Sequence, residues 1–250
     1  MAGHAKDLCK LENWIVKRAK KTEIGEYEKD KLPFGCATLQ FHGPYYSYDQ
    51  VEAFFGGIGE YLSEAEKKKI QLMAREVREG GKGLIILKNV TAGMNVAQMR
   101  DLKLGKYTTD AGDQERRGVT GFSKYIKISR HWLMDKQSQS RKRGFRDEDQ
   151  WKTTWRGDNL VKLNEMLSNA NREALMKIWD DLEELLTWLH KTDVVYIGMS
   201  VLVVAAQNEG KAVPIDFEHP INRSEQSFYR HKKGIIEGVK NLQKLVMHNV

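Results

Sequence analysis

Cysteine and proline are scarce in this chain: Cys9 and Cys36 are the only cysteines, and four prolines occur in 250 residues. Neither cysteine belongs to a Cys-x-x-Cys pair, which argues against a disulfide framework and against a zinc site. The count suits a reducing, cytosolic setting. Long apolar runs are also missing. The longest, around Val194–Ala206, is too short for a bilayer, so no transmembrane segment is expected. The opening stretch, Met1-Ala-Gly-His-Ala-Lys-Asp7, lacks the apolar core of a signal peptide, and the expected location is cytoplasmic. No internal repeat or low-complexity tract is visible.

Charge, by contrast, is plentiful. Lys and Arg number 41 against 34 Asp and Glu, a formal net charge of +7, with a pI near 9.2. Such an excess favours anionic partners: a phosphorylated small molecule, a nucleic acid or an acidic membrane. The competing reading is a solvated basic surface. The aromatic residues are scattered and form no base-stacking motif, so a nucleic-acid partner is not expected. At this length the chain is one large domain or two small lobes with a real core.

Hydrophobic patterning gives an order of elements. Asn13–Lys17 reads as a strand, Thr22–Lys31 as a short charged helix and Leu39–Tyr46 as a further strand. Ser63 and Glu66 form a capping box, and Ile70, Met73, Ala74 and Val77 follow at helical spacing. Leu84–Leu87 is a buried strand, Gln98–Leu104 another, and Phe122–Ile128 reads as a third. Residues 137–156 turn polar and basic, as a loop or mobile segment does. Asn171–His190 is the strongest helix, with Leu175, Ile178, Trp179, Leu182, Leu185, Leu186 and Leu189 on one face. Val194–Val204 and Ala212–Phe217 flank Asn208-Glu-Gly210, a hairpin signal. A last helix spans Lys232–Met247. Early strands, then mixed helices and a hairpin, point to an α+β fold of two lobes, with a boundary near Lys88–Gly93.

Two acidic motifs carry chemistry. In Met99-Arg-Asp-Leu-Lys-Leu-Gly-Lys106, Asp101 and Lys103 share one face of a strand. In Pro214-Ile-Asp-Phe-Glu-His219, Asp216 ends an apolar strand, where a carboxylate can hold a metal. A carboxylate–ammonium pair with a distant metal-binding Asp suits phosphoryl transfer, in which positioning and charge neutralisation dominate. Gly56-Gly57-x-Gly59 and Gly80-Gly81-x-Gly83 lack the P-loop and Rossmann patterns and read as turns.

These motifs, in this order, resemble those of the inositol polyphosphate kinase family: Asp101-Leu-Lys103-Leu-Gly105, Met199-Ser200-Val201-Leu202 and Ile215-Asp216-Phe217. Gly83–Gly93 is similar to that family's hinge strand. Lys17 with Glu23 is similar to its ATP-phosphate lysine and helix glutamate. Gly234-Ile-Ile-Glu-Gly238-Val-Lys-Asn241-Leu242 is similar to its closing helix. Ala97, Lys88 and Met199 depart from the family pattern, and the segment after Gly105 is shorter than in most members.

The resemblance implies a two-lobed kinase-like fold with ATP between the lobes: residues 1–90 as an ATP-binding lobe, and residues 91–250 carrying the acceptor pocket and metal site. It implies that Lys17, Glu23, Lys88, Val90, Ser200 and Asp216 bind the nucleotide, and that Asp216 holds Mg²⁺. Asp101 then sits by the acceptor hydroxyl as base or orienting group while Lys103 neutralises the transferred phosphoryl. Lys106, Arg116, Arg117, Lys124, Lys127 and Arg130 form a cradle for an inositol phosphate. For each of these six a solvated face is the competing reading. Glu218 and His219 sit beside the motif, with solvent-facing and structural roles expected. The implied enzyme is an ATP- and Mg²⁺-dependent inositol phosphate kinase, expected as a monomer. A different acceptor (a protein, a lipid headgroup or another small molecule) stays open, as does a non-enzymatic binding module.

Overall fold

The computed structural model describes residues 7–29, 40–78, 82–95, 97–107, 121–137, 140–148 and 160–250. The chain divides into two compact units, Met1–Leu32 with Cys36–Gly93, and Pro33–Gly35 with Met94–Val250.

The first unit holds β1 (Leu8–Lys10), β2 (Trp14–Lys20), α1 (Lys21–Tyr27), β3 (His42–Tyr45), α2 (Tyr48–Gly57), α3 (Glu64–Arg78) and β4 (Lys82–Lys88). Its four strands form an antiparallel sheet in the order β1-β2-β4-β3. Alternation along β2 buries Trp14 and Val16 and leaves Ile15 and Lys17 on the opposite face. The buried set packs with Val51 and Phe55 of α2, Ile70, Met73 and Val77 of α3, and Leu84 and Ile86 of β4. The Ser63 cap is formed: Ser63 N donates to Glu66 Oε2 over 2.7 Å, and Glu66 N returns to Ser63 Oγ over 3.4 Å. Two donors that the first turn of α3 would otherwise leave bare are thereby satisfied.

The second unit holds β5 (Gln98–Leu104), α4 (Gly121–Gln137), α5 (Ser140–Arg143), β6 (Phe145–Asp147), α6 (Val161–Ser168), α7 (Arg172–Lys191), β7 (Val194–Tyr196), β8 (Ser200–Ala205), β9 (Gly210–Ile215), β10 (Pro220–Asn222) and α8 (Phe228–His248). β6-β5-β8-β9 form one antiparallel sheet and β10-β7 a second ribbon. α7 begins at Asn171, whose Oδ1 accepts from Ala174 N over 2.9 Å. Its stripe of Leu175, Ile178, Leu182, Leu185, Leu186 and Leu189 is buried, each side chain contributing roughly 1.5–3 kcal/mol of transfer free energy. α7 packs on β8, β9 and α8, and α8 packs on β5, β6 and β7.

Helix α8 comes very close to the chain before β6. A Cβ on Gly238 would meet the Gly144 carbonyl, and one on Gly144 would lie 2.5 Å from the Gly238 nitrogen. Gly144 also has φ +76°, a conformation that side-chain-bearing residues rarely adopt. The contact is locked by Asn241 Nδ2 donating to the Arg143 carbonyl at 2.9 Å. Gly105 N, just past β5, donates to the Gly144 carbonyl at 2.7 Å. The glycines and the asparagine of the Gly234–Leu242 motif are thus needed to seat the end of β5 on the helix.

Three sequence expectations need correction. Phe122–Ile128 is helical, within α4, and not a strand. Its β-branched and aromatic content suggested a sheet, but Phe122, Tyr125 and Ile126 are exposed and follow helical spacing. Val194–Val204 is two strands, β7 and β8, that belong to different sheets; the chain turns at Gly198, which has φ +74°. Residues 145–147, within the polar stretch read as a loop, form the buried strand β6. The hairpin at 208–210 connects β8 to β9, closed by Ala206 N donating to the Glu209 carbonyl at 2.8 Å.

Candidate functional site

Strand β5 carries Asp101 and Lys103 on one face. In the register, Asp101 stands opposite Leu202, and Lys103 stands between Ser200 on β8 and Arg146 on β6. Directly opposite residues project to the same side of a sheet, so Asp101, Lys103, Ser200 and Arg146 share a face. Glu148, one residue past β6, is anchored by its backbone N donating to the Asp101 carbonyl at 2.9 Å. Its Oε1 accepts from Arg146 Nε and Nη2 at 3.0 and 2.8 Å and lies 4.0 Å from Lys103 Nζ. Two cations and two carboxylates therefore meet on one patch of β5 and β6.

Asp216 follows β9. Strict alternation would send it to the face opposite Ile215, the neighbour of Ser200. Its backbone is left-handed instead, with φ +67°, a conformation that costs an L-residue about 1–2 kcal/mol. The turn brings its negative charge within reach of Asp101. The Asp101 carboxyl is pushed up from 3.8 to about 6, first by burial and next by the Asp216 charge; Lys103 and the Ser200 hydroxyl pull it down less strongly, and Glu148 adds to the rise. Neither Asp101 Oδ1 nor the fully buried Ser200 Oγ completes a hydrogen bond of good geometry. Phe217 is buried against Tyr196, ring centroids 5.0 Å apart, which anchors the chain just after Asp216.

Two carboxylates that repel one another, one with an unsatisfied buried oxygen, fit a cation. No group of three or more His, Cys, Asp or Glu able to hold a metal occurs among the described residues. That donor set suits a hard divalent ion completed by phosphate oxygens and water, as Mg²⁺ prefers, better than an all-protein cage.

In the first unit, Lys17 Nζ donates to Glu23 Oε1 at 2.7 Å, and the Glu23 side chain is wholly buried. The six-residue spacing is produced by the direct junction of β2 and α1, which turns the helix back over the strand. After β4, Asn89 organises the chain: Nδ2 donates to the carbonyls of Leu11 and Glu12 at 3.1 and 2.8 Å, while Oδ1 accepts from Thr91 N and Oγ1. Lys88 Nζ lies 4.9 Å above the Trp14 ring, and Val90 is buried.

No protein-family model matches the chain, and no curated protein does either. Solved structures do match. Inositol phosphate multikinase of S. cerevisiae, solved with ADP and Mn²⁺, aligns with 94% of this chain and 98% of its own at 15% identity and a TM-score of 0.59. A second inositol phosphate multikinase structure aligns with 66% of this chain and 84% of its own, at 15% identity and a TM-score of 0.47. The chain has a kinase-like fold. It mixes helix and sheet in the manner of the yeast inositol phosphate multikinase.

Within this kinase-like fold the expected acceptor residues are unevenly placed. Lys106 forms an ion pair with Glu237 of α8. Arg116 and Arg117 lie outside the described residues. Lys124, Lys127 and Arg130 fall on α4, their side chains outside the described set. Glu218 Oε2 lies 3.3 Å from His219 Nε2. Arg146 and Glu148 were missed by sequence reasoning. Gly-Phe-Arg-Asp-Glu148 alternates one aromatic with charges and shows no apolar period, so nothing in it marks a buried strand.

Proposed function

We propose that this protein is an ATP-dependent kinase that phosphorylates an inositol phosphate. The observation that carries the reading is the convergence of Asp101, Lys103, Arg146 and Asp216 at one end of a single sheet. The fold match, to a kinase solved with ADP and Mn²⁺, supports a nucleotide and a divalent ion as its cofactors. The basic excess of the chain suits a polyanionic acceptor.

In this reading Lys17, oriented by Glu23, holds the nucleotide phosphates. Asp216 would hold a divalent ion such as Mg²⁺, which would supply neutralisation of phosphate charge. The bond from the γ-phosphorus to the β-phosphate bridging oxygen breaks, leaving ADP. A new phosphorus–oxygen bond forms to the acceptor hydroxyl. Asp101 accepts that hydroxyl's hydrogen bond and orients it; the proton leaves through the carboxylate to solvent. Lys103 and Arg146 face the charge on the transferred group, which is where such a reaction needs it. Ser200 supports the Asp101 carboxyl from β8.

The test is transfer of labelled γ-phosphate from ATP with Mg²⁺ or Mn²⁺ across a panel of inositol phosphates. Label in at least one product, lost in Asp216→Ala, is the expected result. Normal ATP binding without transfer to any panel member overturns the inositol assignment. The ion pair that occupies Lys106 favours keeping a second acceptor class in the same assay. Label on a lysate protein or lipid, absent from inositol phosphates, selects that class.

A further inference from the structure

Helix α4 exposes apolar side chains as a stripe. Phe122 is 80% exposed, Tyr125 67%, Ile126 53%, Trp132 45% and Leu133 44%. At 3.6 residues per turn these five fall within an arc of roughly 120°. The other large apolar residues exposed among the described set, such as Tyr61, Leu72 and Tyr229, do not form such a stripe. An exposed stripe of aromatic and aliphatic residues on a surface helix, broken at Ser129, marks an interaction surface.

Charge selects the partner. Between Gly121 and Met134 the sequence of α4 contains Lys124, Lys127, Arg130 and His131 and no acid; Asp135 is its one carboxylate. Three more cations follow in α5, Arg141-Lys142-Arg143, and the Arg141 guanidinium lies 4.8 Å from the Trp132 ring. A helix of basic sequence whose exposed stripe is built of Phe, Tyr, Trp and Leu has the composition of an interfacial helix. Trp and Tyr sit well at a headgroup boundary, where one end of the ring is apolar and the other wet. No helix among the described residues is long and apolar enough to cross a membrane, so the association is peripheral.

We propose that α4 docks on an anionic membrane surface, its aromatic stripe at the acyl boundary and the cations of α5 at the lipid phosphates. The inference is independent of the phosphoryl-transfer reading.

Flotation of the full chain with vesicles tests it. Phosphatidylcholine vesicles with added phosphatidylserine are expected to carry the protein upward, and pure phosphatidylcholine vesicles are not. Binding should fall as salt rises, because surface charge attraction is screened. The double variant Phe122→Ser, Ile126→Ser should reduce the bound fraction about tenfold while its circular dichroism and melting temperature stay unchanged. Ser129→Glu, on the same exposed arc, gives a second variant with the same expected loss. No flotation with anionic vesicles overturns the proposal, as does binding that both variants leave intact. Sedimentation decides the main rival: a dimer that dissociates in the double variant, without vesicle binding by the parent, assigns the stripe to a second copy and overturns the membrane reading.

Discussion

Lys103 on β5 stands directly opposite Arg146 on β6, and the Glu148 carboxylate lies against both cations. Like charges placed opposite one another in a sheet repel; here one acid, held by its own backbone bond to Asp101, keeps them together. Under the proposed function, an arriving phosphoryl group would offer the same two cations a second anion. Lys103→Met is therefore expected to lower the transfer rate by about a hundredfold or more, with ATP affinity little changed. Single-turnover transfer beside equilibrium nucleotide binding separates the two.

Asp216 gives a prediction about backbone as well as chemistry. Asparagine tolerates a left-handed backbone, so Asp216→Asn should melt within about 2 °C of the parent while transfer falls by about a hundredfold or more. Asp216→Gly should be inactive too, yet more stable by about 1 kcal/mol, because glycine adopts φ +67° without cost. Thermal melts and the ATP transfer assay, run on both variants, check the pair.

The Lys17–Glu23 contact predicts a different kinetic signature. Glu23→Gln keeps the buried volume and removes the charge that orients the ammonium. KM for ATP is expected to rise about tenfold, equivalent to about 1.4 kcal/mol, with a smaller effect on kcat. Steady-state kinetics at saturating acceptor measure the split.

Stability should respond to pH through buried acids. Asp181 on α7 accepts the Ala212 N–H of β9 at 2.8 Å, and its carboxyl is pushed up from 3.8 to about 6, chiefly by burial. Asp101 is raised in the same direction. For a carboxyl raised in the folded state, the native protein holds a proton that the unfolded chain has lost, so stability falls as pH rises from about 4 to about 6 and is flat above. Asp181→Asn retains the acceptor oxygen and loses the charge. It should gain about 1–2 kcal/mol at pH 7.5, allowing for the partial exposure of the site, and gain nothing near pH 3.5. Denaturant melts at the two pH values give the sign.

Glycine contacts separate packing from propensity. Gly238→Ala pushes a methyl into the Gly144 carbonyl and should cost about 2–4 kcal/mol. Gly56→Ala in α2, where a Cβ meets nothing within 4 Å, should instead add about 0.5–1 kcal/mol. Chemical denaturation of the two variants should move the midpoint in opposite directions.

The strongly periodic parts of this structure were legible in the sequence. The α7 stripe, the β8–β9 hairpin and the Ser63 cap each rest on a local pattern that tertiary packing only reinforces. Asp101 and Lys103 were legible as a pair because strand alternation alone puts them on one face. Arg146 and Glu148 were not. β6 is three residues long and holds charges at positions that packing, rather than apolarity, buries. α4 was misread because its aromatic and β-branched residues score as a strand, although a helix is what leaves them facing outward. The left-handed turn at Asp216 was likewise invisible, since only the position of the neighbouring sheet requires it.

The Gly144–Gly238 contact also bears on the order in which the molecule is built. Asn241 and Arg143, which lock it, are 98 residues apart in the chain, and β5 cannot pair with β8 until a comparably long loop has closed. Loop closure of that span precedes any reward from the contacts it makes, which slows folding. The pairing of β5 with β8 is therefore expected to come late, after the local β8–β9 hairpin in the same sheet. A refolding chain should regain the helicity of α7 well before it regains a binding-competent site, and a fragment ending before Gly234 would keep the partners of β5 on β6 and β8 but lose the helix on which their junction is seated.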